Sequence, residues 1–131
     1  MLTFDDSARS EAPPEEVWKA LYDATRFTDW WEGMRTAEVG DGEFVFVQED
    51  VPDFPIPNQL QTRRDEATVV VSCLLHDIVF AWRLEPLDDG RATRISVHVE
   101  IPDHEAALFE RQQQAIHASV ARLATVAARP S

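Results

Sequence analysis

The chain has 131 residues, 44% of them hydrophobic, and a formal charge of −12 at pH 7. The length suits a single domain, residues 1–131, whose core needs no disulfide or metal, and the charge argues against nucleic acid as a partner, because phosphate binding depends on clustered lysine and arginine. No apolar run is long enough to span a bilayer and the acidic N-terminus is unlike a targeting peptide, so we expect a cytoplasmic protein without membrane insertion.

The N-terminal part of the chain predicts a weak strand followed by two short helices. Residues 2–9 are the candidate strand. The sequence Pro-Pro-Glu-Glu at 13–16 is typical of a helix start, because the two acids lie at the positive end of the helix dipole. A second short helix is expected near Thr25–Trp31, and Gly33 ends it.

The pattern then changes to the period of two that is typical of strands. Phe44 and Phe46 share one face of a strand. Residues 51–58 contain three prolines, so we interpret this segment as a loop that cannot lie inside a sheet. One face of the next strand then carries Leu60, Thr62 and Arg64.

Three further strands are marked by regular alternation of apolar and polar residues. Their apolar positions are Val69, Val71 and Cys73, then Ile78, Phe80, Trp82 and Leu84, then Ile95, Val97, Val99 and Ile101. Turns are expected at His76–Asp77 and at Asp88–Gly90, the second because glycine tolerates positive φ. Such alternation indicates an antiparallel sheet with one covered face and one solvated face.

The last part of the chain predicts a long helix. It should begin at Asp103, a suitable N-cap residue. Its apolar stripe consists of Phe109, Ile116, Val120 and Leu123. The complete order is a strand, two short helices, about six strands and one long helix. We therefore predict an α+β fold in which a curved antiparallel sheet of about six to seven strands is covered by the C-terminal helix.

Five segments carry a family resemblance: Ala12–Trp18, Phe27–Trp31, Trp82–Leu87, the turn Asp88–Gly90 and Thr93–Ile95. In this order they resemble the START-like superfamily, also called SRPBCC, which includes polyketide cyclase/dehydrase-like proteins, and the resemblance covers nearly the whole chain. It implies a helix-grip fold, with a cavity between the concave sheet and the long helix. The superfamily contains lipid carriers, hormone receptors and cyclases, so the resemblance does not define an activity.

The resemblance also implies which residues face the cavity. The candidate ligand-binding residues are Trp30, Phe46, Phe54, Leu60, Arg64, Val71, Phe80, Trp82, Val97, Val99, Phe109, Gln112, Gln113 and Ile116. Phe44 and Cys73 share the inward phase, Trp31 is the alternative to Trp30 as the inward-facing tryptophan, and Phe54 would act as a lid. The aromatic positions also suit plain core packing, and Gln112, Gln113 and Arg64 also suit solvent-facing positions.

Other candidate sites are disfavoured by residue type or by phase. The lone Cys73 cannot form an intramolecular disulfide, and its apolar surroundings suit a core residue. His98, Glu100, Asp103 and His104 include metal-ligand types, but His98 and Glu100 oppose the apolar phase and should face solvent. The sequence has no nucleophile motif and no phosphate-binding loop. We therefore expect no metal and no cofactor, and we assign no catalytic residue.

Three functions remain open at this level. The first is binding or carriage of a small, largely hydrophobic molecule, whether lipid-like, aromatic or polyketide-like. The second is a polyketide cyclase/dehydrase-like enzyme, which needs an acid or base in the cavity; Arg64, the two glutamines or an acid from residues 49–53 are the candidates. The third is a protein-interaction module related to heat-shock ATPase activators, which would combine a filled core with a large exposed apolar patch.

Overall fold

The computed structural model describes residues 1–48 and 51–129, with their side chains except those of residues 36, 37, 48 and 51–54. These residues form a seven-stranded sheet, two α-helices and four short 3₁₀ helices. The strands are β1 (Leu2–Ser10), β2 (Met34–Gly40), β3 (Glu43–Gln48), β4 (Val51–Arg63), β5 (Thr68–Cys73), β6 (Ile78–Leu87) and β7 (Ala92–Ile101). The α-helices are α1 (Pro14–Tyr22) and α2 (Phe109–Ala127), and the 3₁₀ helices are Ala24–Asp29, Arg64–Glu66, Asp88–Gly90 and Asp103–Leu108.

All strands join one antiparallel sheet in the order β1-β7-β6-β5-β4-β3-β2. From β2 to β7 each strand pairs with the next one in the chain, and β1 completes the sheet beside β7. The first strand, the two short helical segments, the run of strands and the long final helix follow in the predicted order. The predicted α+β helix-grip architecture is therefore confirmed.

One face of the sheet is buried, as the alternation predicts. The inward positions of β5, β6 and β7 are all buried, and the strand register groups them into cross-strand rows. The Phe80 row consists of Val71, Phe80 and Val99. The Trp82 row consists of Val69, Trp82 and Val97. These two rows form the centre of the inner face.

The proline-rich segment is part of β4, so the prediction of a loop over residues 51–58 is wrong. The segment pairs with β3 on one side. On the other side, the carbonyl of Pro57 accepts a hydrogen bond from the Leu74 N–H at 3.0 Å. Because the carbonyl and the nitrogen of a strand residue point to the same side, the ring nitrogens of Pro55 and Pro57 point away from β3. Strand β5, which pairs with β4 on that side, ends at Cys73. No β5 carbonyl therefore requires an N–H donor from Pro55 or Pro57.

The two helical segments after β1 bring an aromatic side chain under the sheet. α1 begins at Pro14 as predicted, with Pro13 as its N-cap residue. The second predicted helix is the 3₁₀ helix Ala24–Asp29. Trp30 follows it, and its indole Nε1 donates a hydrogen bond of 3.0 Å to the carbonyl of Ala20. This bond satisfies a carbonyl in the last turn of α1, where helical partners are lacking.

The final α-helix begins later than predicted. Asp103–Leu108 is a 3₁₀ helix, and α2 begins at Phe109. Asp103 does not cap this helix, because Pro102 holds the N-cap position; its carboxylate lies 2.5 Å from the amino group of Met1 instead. The backbone of Glu105, inside this short helix, is non-helical, with φ −109° and ψ 22°. No helix among the described residues is long and apolar enough to cross a bilayer.

α2 covers the sheet unevenly. It packs mainly against β1, with further contacts to β7 and α1. Its predicted stripe is buried at Ile116, Val120 and Leu123, and Phe109 meets Phe4 of β1 edge to face, with ring centres 5.5 Å apart. The helix therefore covers the β1–β7 half of the inner face and leaves a space over β3, β4 and β5.

Candidate functional site

The space beside α2 is a cavity of about 460 Å³. Its floor is the inner face of β3 to β6, and its walls are the segment after the first 3₁₀ helix and the first turns of α2. The apolar lining consists of Trp31, Met34, Phe44, Phe46, Ile56, Val71, Ile78 and Phe80. Trp31 is edge-on to Phe80, with ring centres 5.1 Å apart, so wall and floor are packed together. The volume is within the range of small-molecule sites, about 300–1,000 Å³.

Asn58 is a buried polar residue in this floor, with 2% of its surface exposed. On the neighbouring strands it pairs with Phe44 and with Cys73. Its side-chain nitrogen donates to the carbonyl of Ile56 at 3.1 Å. An amide has two N–H groups and one carbonyl, and among the described residues only this bond uses them. Sequence reasoning missed Asn58 because it assigned the segment to a loop, although Asn58 shares its phase with Ile56 and Leu60.

The first turns of α2 form a polar edge of the cavity. Gln112 and Gln114 line it together with Arg111 and Ala115, whereas Gln113 is exposed. Residues three or four apart on a helix are neighbours, which places 111, 114 and 115 on one face. The buried stripe of α2 lies beside this face and packs on the other half of the sheet.

Four ionisable side chains of the described residues line the cavity: Glu32, Cys73, His76 and Arg111. Burial raises the pKa of the Cys73 thiol, so the thiol is neutral at neutral pH. The Glu32 carboxylate is 2.8 Å from the guanidinium of Arg122. His76 lies in the turn between β5 and β6, and its Nδ1 is 2.7 Å from Oε2 of Glu105.

The candidate residues from the sequence fall into three groups. The cavity lining contains Phe46, Val71, Phe80 and Gln112. The packed core contains Trp30, Trp82, Val97, Val99 and Ile116, with Phe109 at its edge. The remainder lie elsewhere: Arg64 and Gln113 are exposed, Leu60 is half-buried outside the lining, and Phe54 lies outside the residues whose side chains are described.

Whether an inward-facing residue lines the cavity or belongs to the core depends on which element covers it. The Trp82 row lies under Trp30 and Trp31, whose ring centres are 5.1 Å and 5.4 Å from that of Trp82. Val99 pairs with Phe4 on β1, the strand on which α2 mainly packs. Arg64 leaves the inward phase because β4 ends one residue earlier and a 3₁₀ helix begins. An inward phase alone therefore does not place a residue in the cavity.

The outer face carries the histidine and the glutamate that the sequence suggested for a metal cluster. His98 and Glu100 lie there, as their phase predicts, and Nδ1 of His98 is 2.8 Å from the Asp5 carboxylate on β1. Among the residues that the structure describes, no group of three or more His, Cys, Asp or Glu side chains could hold a metal ion.

Solved structures share this fold. An uncharacterised protein from Bacillus thuringiensis superimposes with a TM-score of 0.79 at 11% identity, covering 95% of this chain and 98% of its own. The ZhuI aromatase/cyclase from Streptomyces sp. R1128 gives 0.77 at 13% identity, covering 96% and 93%. A protein from Chromobacterium violaceum gives 0.74 at 20% identity and covers 100% of both chains. At such identities the likeness establishes the fold alone. No curated protein matches this chain by sequence.

A family model extends the comparison to sequence. The model described as "Polyketide cyclase / dehydrase and lipid transport" matches residues 1–128. The match spans β1, the helical segments, the sheet and α2, which are the elements that enclose the cavity. The chain therefore belongs to the polyketide cyclase/dehydrase and lipid transport family.

Proposed function

We propose that this protein binds a small, largely hydrophobic molecule in the cavity between the sheet and α2. The observation that carries the proposal is a cavity of about 460 Å³ with an apolar floor, next to a core that is otherwise closely packed. A concave, mostly apolar space of this size with a few polar groups at its edge is the usual form of a small-molecule site. The lipid-transport part of the family description supports this function.

The lining indicates the shape of the ligand. Aromatic side chains on the floor and wall, among them Trp31, Phe44 and Phe80, suit a planar apolar body. Asn58 offers hydrogen bonds from the floor, and Gln112 offers them from α2. The Asn58 side chain uses one N–H on the carbonyl of Ile56, so its second N–H and its carbonyl are available to a hydroxyl or carbonyl group of a ligand. The expected ligand is an aromatic or polyketide-like molecule with one or two polar groups.

Native mass spectrometry, followed by organic extraction of the copurified material, tests this function. The test uses two adjacent glutamines of α2 as a matched pair. Gln112→Trp should fill the cavity, because Gln112 lines it, whereas Gln113→Trp should leave it open, because Gln113 does not line it. We expect an apolar adduct on the wild-type protein and on Gln113→Trp, and its loss from Gln112→Trp.

The same pair of variants gives the outcome that would refute the proposal. An adduct that persists on Gln112→Trp would show that the molecule binds elsewhere. A wild-type protein that stays free of adduct, also after exposure to a mixture of lipids and aromatic acids, would argue against a binding function. Circular dichroism of both variants controls for unfolding.

A second candidate function is a cyclase/dehydrase-like enzyme. The observation that favours it is an ionisable side chain, His76, in the lining of the cavity, because such an enzyme needs an acid or base beside its substrate. Arg64, the arginine that the sequence suggested for this role, is exposed in the 3₁₀ helix after β4 and does not line the cavity.

The third function considered, a protein-interaction module, lacks comparable support. It requires a filled core and a large exposed apolar patch. The chain has an open cavity, and the exposed large hydrophobic residues among those described are scattered over several elements. Only Leu74 and Leu75 are adjacent among them. Binding of a small molecule therefore remains the function that the geometry supports best.

A further inference from the structure

A base that acts on a molecule in the cavity must face that cavity and be able to take up a proton. Three of the four ionisable side chains in the described lining fail this condition. Arg111 fails because a guanidinium remains protonated. Cys73 fails because burial keeps its thiol neutral. Glu32 fails because Arg122 holds its carboxylate at 2.8 Å. The fourth side chain is His76.

His76 has the surroundings of a base. Its Nδ1 is 2.7 Å from the Glu105 carboxylate, and the two side chains are 34% and 23% exposed, so the pair is partly shielded from water. His76 comes from the turn between β5 and β6, and Glu105 from the 3₁₀ helix before α2. A carboxylate that accepts the Nδ1 hydrogen fixes the ring tautomer in which Nε2 carries the free lone pair. Nε2 is the ring nitrogen that Glu105 leaves for a molecule in the cavity.

We propose that His76, positioned by Glu105, is a general base that removes a weakly acidic proton from the molecule bound in the cavity. This inference rests on the proposed binding function. The matching ligand is planar and largely apolar, and it carries its acidic proton, an activated aromatic C–H or a phenol O–H, at the end near the β5–β6 turn. The negative charge left on the ligand is stabilised by amide N–H groups of Asn58 and Gln112, both of which line the cavity.

The compound 5-nitrobenzisoxazole is a suitable probe, because it is planar, apolar and has one activated ring C–H. Nε2 of His76 takes the proton from that carbon, and the C–H electron pair completes a carbon–nitrogen triple bond. The ring N–O bond breaks, and its electron pair goes to the oxygen. The product is the phenolate of 2-cyano-4-nitrophenol, whose colour reports the rate, and the imidazolium then releases its proton to water. No oxidant, reductant or cofactor is needed.

The variants distinguish three effects: loss of the base at His76, loss of its positioning partner Glu105, and loss of a histidine elsewhere in the protein. His76→Gln should lower kcat for the probe by about 100-fold or more, since a general base usually contributes about 100- to 10,000-fold. Glu105→Gln should lower kcat and leave KM unchanged, and Glu105→Asp should restore part of the rate. His98→Gln is the matched control, because Nδ1 of His98 is also 2.8 Å from a carboxylate, that of Asp5, but on the outer face. It should leave the rate unchanged.

Binding is measured separately, by quenching of tryptophan fluorescence, since Trp31 lines the cavity. One outcome would overturn the role of His76 and leave the binding function intact. In it, the probe quenches the fluorescence saturably, but wild type, His76→Gln and His76→Asn turn the probe over at the same rate. A rate that falls equally in His98→Gln would also overturn it. If neither the probe nor a mixture of lipids and aromatic acids quenches the fluorescence saturably, the binding function and this inference are both overturned. Circular dichroism establishes that each variant is folded.

Discussion

Trp30 and Trp82 form a matched test of what an indole N–H contributes to a packed core. Both side chains are buried, at 0% and 1% exposure, and their ring centres are 5.1 Å apart. Nε1 of Trp30 donates to the carbonyl of Ala20, whereas Nε1 of Trp82 is buried and has no hydrogen-bond partner among the described residues. A change to Phe removes the same atoms at both positions but affects the hydrogen bonds in opposite ways.

The expected free energies follow from this difference. The lost packing is common to both variants and costs about 1–3 kcal/mol in each. Trp30→Phe also leaves the Ala20 carbonyl, in the last turn of α1, without its donor, which adds about 1–3 kcal/mol. Trp82→Phe removes an unpartnered donor, which offsets a similar amount of its packing loss. We therefore expect Trp30→Phe to be less stable than Trp82→Phe by at least about 2 kcal/mol.

Urea unfolding followed by far-ultraviolet circular dichroism measures both free energies, and it avoids the change in fluorescence that follows loss of a tryptophan. The comparison requires equal m values, because a changed m value would indicate a changed denatured state. A loss of stability in Trp82→Phe as large as that in Trp30→Phe would refute the reasoning. It would mean that an aromatic face near Trp82 accepts the N–H and stabilises it as well as a carbonyl does.

Two further expectations concern Ala67 and Cys73. Ala67 has a left-handed backbone, with φ 53° and ψ 43°, so Ala67→Gly should raise the free energy of unfolding by about 0.5–1 kcal/mol in urea; a loss would contradict this. Cys73 is the single cysteine, and burial raises its pKa, so it should react with iodoacetamide at least about tenfold more slowly than a short peptide of the same local sequence. Equal rates, measured by mass spectrometry, would contradict the burial that raises its pKa.

The faces of β5, β6 and β7 were predictable because each of these strands has one buried and one solvated side. The course of β4 was not, because proline propensity is local while strand pairing depends on tertiary neighbours. Pro55 and Pro57 are compatible with the sheet because their nitrogens point away from β3, toward the side on which β5 would pair. Strand β5 has already ended at this point. Nothing in the sequence of β4 alone states where β5 ends.

The boundary between cavity and core was also beyond the sequence. Phe80 and Trp82 share one face of β6, yet Phe80 lines the cavity and Trp82 is packed under two tryptophans. The difference depends on which element covers each row, and therefore on the line along which α2 crosses the sheet. For the same reason the sequence could not separate Gln112 from Gln113, because only the orientation of the helix decides that Gln112 lines the cavity.

The uneven cover provided by α2 has a thermodynamic consequence. The β1–β7 half of the sheet is packed by a helix, while the half that bears the cavity would be packed by its ligand. Amide hydrogens of β3 and β4 should therefore exchange faster than those of β7 in the empty protein, and should slow when the cavity is filled. Since a bound molecule adds about 2.7 kcal/mol of stability at a hundred times its Kd, the melting temperature of this protein is itself a sensor for the right compound.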